Sequence, residues 1–205
     1  MRWRENWWLI LGEFVIVIAL VVADLYHAVP LSSTPLWVVL GWISLRLRGL
    51  GWRDVGFVRP RSWPQALALG SLAGIGMELF STFVSVPSLT QLAGKPPDLS
   101  DFQPMVGNLG LLFGSLVPMW LLAAFGEELV YRGYLMNRIA ALGQNTPGAW
   151  LLSLVLVSAL FGCAHEGQEL TGILQEGFAG LLLGLLYLGC GRTLAVPIIA
   201  HGMAN

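Results

Sequence analysis

Apolar positions along this chain come in long runs and not in alternation. From "NWWLILGEFVIVIALVVADLY" at the start to "TLAVPIIA" near the end, such runs are separated by short polar connections. A helix that crosses a bilayer needs roughly 20 mostly apolar residues. Several runs meet or approach that length. The pattern predicts helices at about 7–26, 35–47, 64–87, 105–141, 148–165, 171–189 and 193–205. The helix at 35–47 is short and ends in "RLRGLGWRD", which suits a tilted or partly embedded segment. Residues 88–104, "SLTQLAGKPPDLSDFQP", read as a Pro-rich polar loop. The dyad alternation of a membrane β-barrel is absent. The expected fold is all-α, a polytopic transmembrane bundle of about 6–8 helices. It is read as one transmembrane domain spanning 1–205.

Composition strengthens that picture. The chain is 56% hydrophobic and 11% charged, against about a quarter charged in a soluble domain. A net charge of −1 gives no footprint for nucleic acid. Cys163 and Cys190 lie in apolar stretches and form no disulfide or zinc framework. The first apolar run follows Arg2 and Arg4 like a secretory signal, but it lacks a small-residue cleavage site and is read as a retained helix. Of 11 basic residues, Arg46, Arg48, Arg53, Arg59 and Arg61 cluster between the second and third helices. The positive-inside rule then places the N-terminus and the 48–62 loop in the cytoplasm. The 88–104 loop, with Asp98, Asp101 and Lys95, falls outside. Trp52 and Trp63 suit the interface. The expectation is an integral protein of a bacterial cytoplasmic membrane.

Three ionisable groups interrupt this apolar order in "FGEELVYRG". A charge at the centre of a membrane helix costs about 2.5–3.5 kcal/mol on insertion scales. Glu128 and Arg132 stand four apart, so they share a face and can pair. Glu127 points about 100° away and is free to face another helix. Taken alone, the stretch also fits a helix end reaching the headgroups. Two further patterns tip the balance. "FGCAH" sets Phe161 and His165 four apart, and "HGMAN" does the same for His201 and Asn205. Carboxylate, imidazoles and amide are types that can activate water and hold an oxyanion. For these groups to meet, Glu127 must lie within the membrane. Its helix then runs on through "YRGYLMNRIAALG", exceeds about 30 residues and bends at Pro118. Glu78 and Glu176 are candidates for lining a polar cavity. Glu166 and Glu169 read as a solvated connection. Glu13, Asp24 and His27 read as interfacial or inter-helix partners, and Cys163 as filler.

The three motifs in this order resemble the CPBP (CAAX protease and bacteriocin-processing, Abi) family of intramembrane endopeptidases. That group includes the type II CAAX prenyl endopeptidases. The resemblance covers 105–205, the expected catalytic core. It implies a protease in which Glu127 and His165 activate a water while His201 and Asn205 stabilise the oxyanion. Glu128 and Arg132 become a structural ion pair. It also implies a peptide or protein substrate, with lipid-modified ones included, entering from the bilayer. Zinc stays open, because the family is also described as metalloproteases; Glu127, His165 and His201 would then be the ligands. Two other classes compete. One is a non-catalytic immunity or scaffold protein of the same fold. The other is a proton-coupled transporter using Glu127, His165 and Glu78, although the duplicated halves common in transporters are not visible.

Overall fold

The computed structural model describes residues 11–13, 15–17, 19–20 and 32–205. All described residues between 11 and 20 are helical. The rest of the expected first helix, with Arg2, Arg4, Asp24 and His27, lies outside the described residues. Six helices follow: α1 (Thr34–Leu47), α2 (Trp63–Ala93), α3 (Leu109–Leu142), α4 (Pro147–Cys163), α5 (Glu169–Gly189) and α6 (Ala195–Ala204). No strand occurs among the described residues. The protein is an all-α membrane bundle. The segments Trp63–Ala93, Leu109–Leu142 and Glu166–Gly189 are long and apolar enough to cross a bilayer, and α1, α4 and α6 are shorter apolar helices.

Local chemistry sets the helix starts. Ser62 accepts a hydrogen bond from the Gln65 amide, Asn108 from Leu111 and Thr146 from Ala149, so each start has an oxygen for an orphan N–H. Proline occupies the first turn of α1, α2 and α4, where its missing N–H costs nothing. The expected end of the third helix near 87 is overrun. Pro87 follows a π-wound turn, Ser81–Ser85, and the helix continues to Ala93 before stopping at left-handed Gly94. The Pro-rich loop is correspondingly shorter. At the other extreme, α4 stops at Cys163, so His165 lies just past its helix and not on it.

The buried core joins α1, α3, α4 and α5 through Leu45, Leu129, Val130, Tyr134, Met136, Leu154, Val157 and Tyr187. Helix α2 packs on α6 through glycine. A Cβ on Gly74 would stand 2.3 Å from the Ala200 carbonyl oxygen. Backbones approach this closely only over small residues, the usual device of helix pairs in lipid. Large apolar side chains such as Leu72, Phe83, Phe113 and Leu151 face outward.

The helices run back and forth between two distinct ends. At one end, the Leu194 amide donates to the Gly56 carbonyl and the Tyr187 hydroxyl to the Val55 carbonyl. The Arg-rich 48–62 loop is thereby pinned to the α5–α6 turn. Arg192 lies over the Trp150 ring at the start of α4. Glu13 joins the same end: it binds Arg48 Nη2 at 2.7 Å and Arg138 Nε at 3.2 Å, and accepts from Ser44. That cluster ties the first helical stretch to α1 and α3. At the opposite end, Asp98 N–H donates to the Gln168 carbonyl and Lys95 pairs with Glu169.

Candidate active site

Helix α3 carries the acidic motif near its midpoint, and its winding changes there. It is α-helical to Pro118, then π-wound over Met119–Glu127 and again over Leu129–Met136. Proline removes one i→i−4 bond, and the wider winding begins at the next residue. Such π segments often mark functional sites. Around this segment the bundle builds a buried polar chain.

Arg132 is fully buried and has three supports. Its Nη1 donates to Glu128 Oε1 at 2.6 Å, its Nη2 donates to the Gly180 carbonyl at 2.9 Å, and its guanidinium lies 4.8 Å from the Phe161 ring centre. Glu128 is equally buried, and the same Oε1 lies 2.9 Å from His201 Nδ1. A carboxylate oxygen that already accepts from Arg132 assigns the hydrogen to Nδ1. In the neutral ring, Nε2 then carries the lone pair. It lies 3.9 Å from Glu127 Oε2. That Glu127 oxygen is buried and has no hydrogen-bond partner among the described residues.

His165 is fixed in the same sense. Its Nδ1 lies 2.9 Å from the Phe161 carbonyl oxygen, which can only accept, so Nδ1 donates and Nε2 is left as the free ring nitrogen. Phe161 packs against both histidines. Its ring centre is 5.0 Å from His165, 5.8 Å from His201 and 4.9 Å from Tyr131.

Two cavities open beside these groups. The first, of about 220 Å³, is lined by Glu127, Val130, Tyr131, Ala164 and His165, and on its α1 side by Ser32, Ser33, Thr34 and Trp37. The second, of about 70 Å³, is lined by His201 and Asn205 with Glu78, Gln175 and Glu176 among others. The four candidate catalytic residues therefore fall into two pairs. His201 links them, since it lines the second cavity while its Nε2 faces Glu127. Asn205 is exposed, and its backbone N–H donates to the His201 carbonyl. Glu78 accepts from Thr82, and Gln175 donates to Ser81 across the α2–α5 interface. Glu166 and Glu169 are exposed, as is the free thiol of Cys163; Cys190 is half-buried and free. The residues that sequence reading did not find are Ser32, Ser33, Thr34 and Trp37. "SSTP" is legible as a helix start, but nothing in it says that this start lies beside Glu127.

Among the described residues, no group of three or more His, Cys, Asp or Glu side chains is placed to hold a metal ion. Glu128 is occupied by Arg132 and His201, and the Phe161 ring packs against both His165 and His201. Catalytic zinc usually needs three protein ligands. The donor set as placed does not fit a catalytic zinc.

Residues 108–205 match the family model described as Rce1-like, type II CAAX prenyl endopeptidase. No curated protein and no solved structure gives a match. The matched span contains α3 to α6 and every residue of the buried chain just described. Over this C-terminal span the chain is similar to the type II CAAX prenyl endopeptidase Rce1-like family.

Proposed function

We propose that the protein is an intramembrane endopeptidase that hydrolyses a peptide bond with a water activated by Glu127 and His165. The observation that carries this reading is the shared cavity. A carboxylate and an imidazole with its Nε2 free line one space, inside an apolar bundle, on the span that matches a protease family.

The chemistry follows from the donors and acceptors. A water in the cavity donates to Glu127 and to His165 Nε2, which turns its oxygen lone pair to the substrate carbonyl. Glu127 takes a proton as the C–O bond forms. His201 Nε2, 3.9 Å away, receives that proton across one bridging water or a small rotation. The ring then presents an N–H at Nε2 just as negative charge grows on the carbonyl oxygen. Asn205, one turn further along α6, supplies an amide N–H from the second cavity. Catalytic hydrogen bonds are often loose before substrate binds and tighten in the complex. When the C–N bond breaks, the amine takes the proton back through Glu127. Glu128 and Arg132 do not react. They hold His201 in the required tautomer, as an acceptor behind a working imidazole generally does. In this scheme 105–205 is the catalytic core, and the Arg-rich end, with the 48–62 loop, faces the cytoplasm.

The test is cleavage by the purified full-length protein in lipid nanodiscs. A prenylated peptide ending in a CAAX sequence is the first substrate, with its unmodified form beside it. Hydrolysis in ¹⁸O-water should place one heavy oxygen in the new carboxyl group. Absence of cleavage of any membrane-delivered peptide would favour a non-catalytic scaffold, and proton flux in sealed liposomes would favour a transporter.

A further inference from the structure

We infer that the Thr34 hydroxyl binds the carbonyl oxygen of the scissile peptide bond, from the α1 wall of the cavity. This rests on the hydrolytic reading above. Three observations place it. Thr34 lines the same cavity as Glu127 and His165, although it comes from a different helix and from outside the family-matched span. It is held hard against the turn that carries Glu127: a Cβ on Gly126 would lie 2.5 Å from Thr34 Cγ2. Only glycine before Glu127 lets α1 come this close. The threonine is also buried, with a relative exposure of 8%, so its hydroxyl serves the cavity and not bulk solvent.

The local hydrogen bonds aim it. Ser32 Oγ accepts from the Thr34 amide at 3.2 Å and donates to Thr34 Oγ1 at 3.0 Å. Thr34 therefore enters this pair as an acceptor and keeps its own hydroxyl hydrogen for donation. A hydroxyl that already accepts a hydrogen bond is polarised into a better donor. The carbonyl oxygen is where negative charge appears when the water adds to the peptide carbon, so a donor fixed there works mainly in the transition state. No proton leaves Thr34; the water's proton goes to Glu127 as before.

The experiment uses the full-length protein in nanodiscs and a peptide that the wild type cleaves. Thr34→Val keeps the shape and removes the hydroxyl. It should lower kcat by roughly 10²-fold, with KM and melting temperature little changed. Thr34→Ser should keep most of the rate. Ser32→Ala leaves Thr34 in place without its polarising donor and should lower kcat by a smaller factor. Wild-type kcat in Thr34→Val overturns the inference. So does a Thr34→Ser variant as slow as Thr34→Val, which would mean packing alone. Should Thr34→Val not fold, a near-wild-type Thr34→Ser with a slowed Ser32→Ala supports the inference, and a wild-type kcat in Ser32→Ala or a strongly slowed Thr34→Ser overturns it. Glu127→Gln separates the two levels: if it still cleaves, the hydrolytic reading fails with this one; if it is inactive while Thr34→Val is normal, only the role of Thr34 fails.

Discussion

His201 Nδ1 and Glu128 Oε1 are 2.9 Å apart in the middle of the bundle, and Arg132 binds that same oxygen at 2.6 Å. The ion pair is thus the seat of the histidine. Breaking a buried pair by removing one partner costs about 3–5 kcal/mol, because the other is left buried and uncompensated. Arg132→Met and Glu128→Ala should each lower the detergent melting temperature strongly. Glu128→Gln should be milder in folding and still slow, since an amide can present its nitrogen to His201 and lose the tautomer. Wild-type melting curves for both truncations would show that this pair does not support the fold.

Glu127 presents the opposite case. Its Oε2 is buried with no hydrogen bond among the described residues, and His201 Nε2 lies 3.9 Å away. Little of the fold depends on it. Glu127→Ala should therefore insert, fold and melt like wild type while turnover falls by about 10²–10⁴, the usual worth of a general base. Normal turnover in a well-folded Glu127→Ala protein would end the proposed mechanism.

The α2–α6 crossing offers a test of how the fold positions the site. A methyl on Gly74 would meet the Ala200 carbonyl oxygen at 2.3 Å and Met203 Cβ at 2.7 Å. Ala200 directly precedes His201, so relief of that clash must move the helix carrying the histidine. Gly74→Ala should cost about 1–3 kcal/mol by overpacking and also lower kcat. Gly76, on the same helix, has open space where a Cβ would go, so Gly76→Ala is the control. Equal behaviour of the two variants would show that this contact does not set His201.

Much of this architecture was legible in the apolar runs. The long helix through Glu127 was expected because a carboxylate that meets His165 and His201 cannot sit at a membrane surface, and α3 does run for 34 residues. The Glu128–Arg132 spacing announced their pairing, but not that Glu128 also holds His201. That bond joins residues 73 apart, and no local pattern reports such a contact. Helix α2 overran its expected end because the turn Ser81–Ser85 takes up the proline at 87 by π winding, which a period-based reading does not anticipate. Thr34 escaped for a similar reason: its meaning comes from Gly126, 92 positions away, and from nothing in its own neighbourhood.

Sidedness can be read with single cysteines. Arg46, Arg53, Arg59, Arg61, Arg138 and Arg192 belong to the end built by the 48–62 loop and the α5–α6 turn, whereas Lys95 belongs to the other end. Under the proposed topology, which follows the Lys/Arg bias, the first end faces the cytoplasm. In a Cys163→Ala, Cys190→Ala background, a cysteine at Arg59 should resist an impermeant thiol reagent in intact cells, and one at Pro97 should react. The reverse pattern would invert the bundle in the membrane.

Asn205 and the metal question are settled by one set of measurements. If a zinc ion were held by Glu127, His165 and His201, the three would have to converge, yet among the described residues no three such side chains are placed to hold a metal, and Glu128 takes up His201 Nδ1. Asparagine is also a poor zinc ligand and a good N–H donor. In the water mechanism, Asn205→Ala should cost roughly 10²–10³ in turnover, as loss of an oxyanion donor does, and leave KM close to wild type. Asn205 is exposed beside the second cavity, so the substitution should not disturb folding. Active protein should contain less than stoichiometric zinc by elemental analysis and keep its rate in the presence of a chelator. One zinc per chain, with activity lost to the chelator and restored by the metal, would replace the water mechanism by a metal-bound one and would require His165 and His201 to move together around the ion.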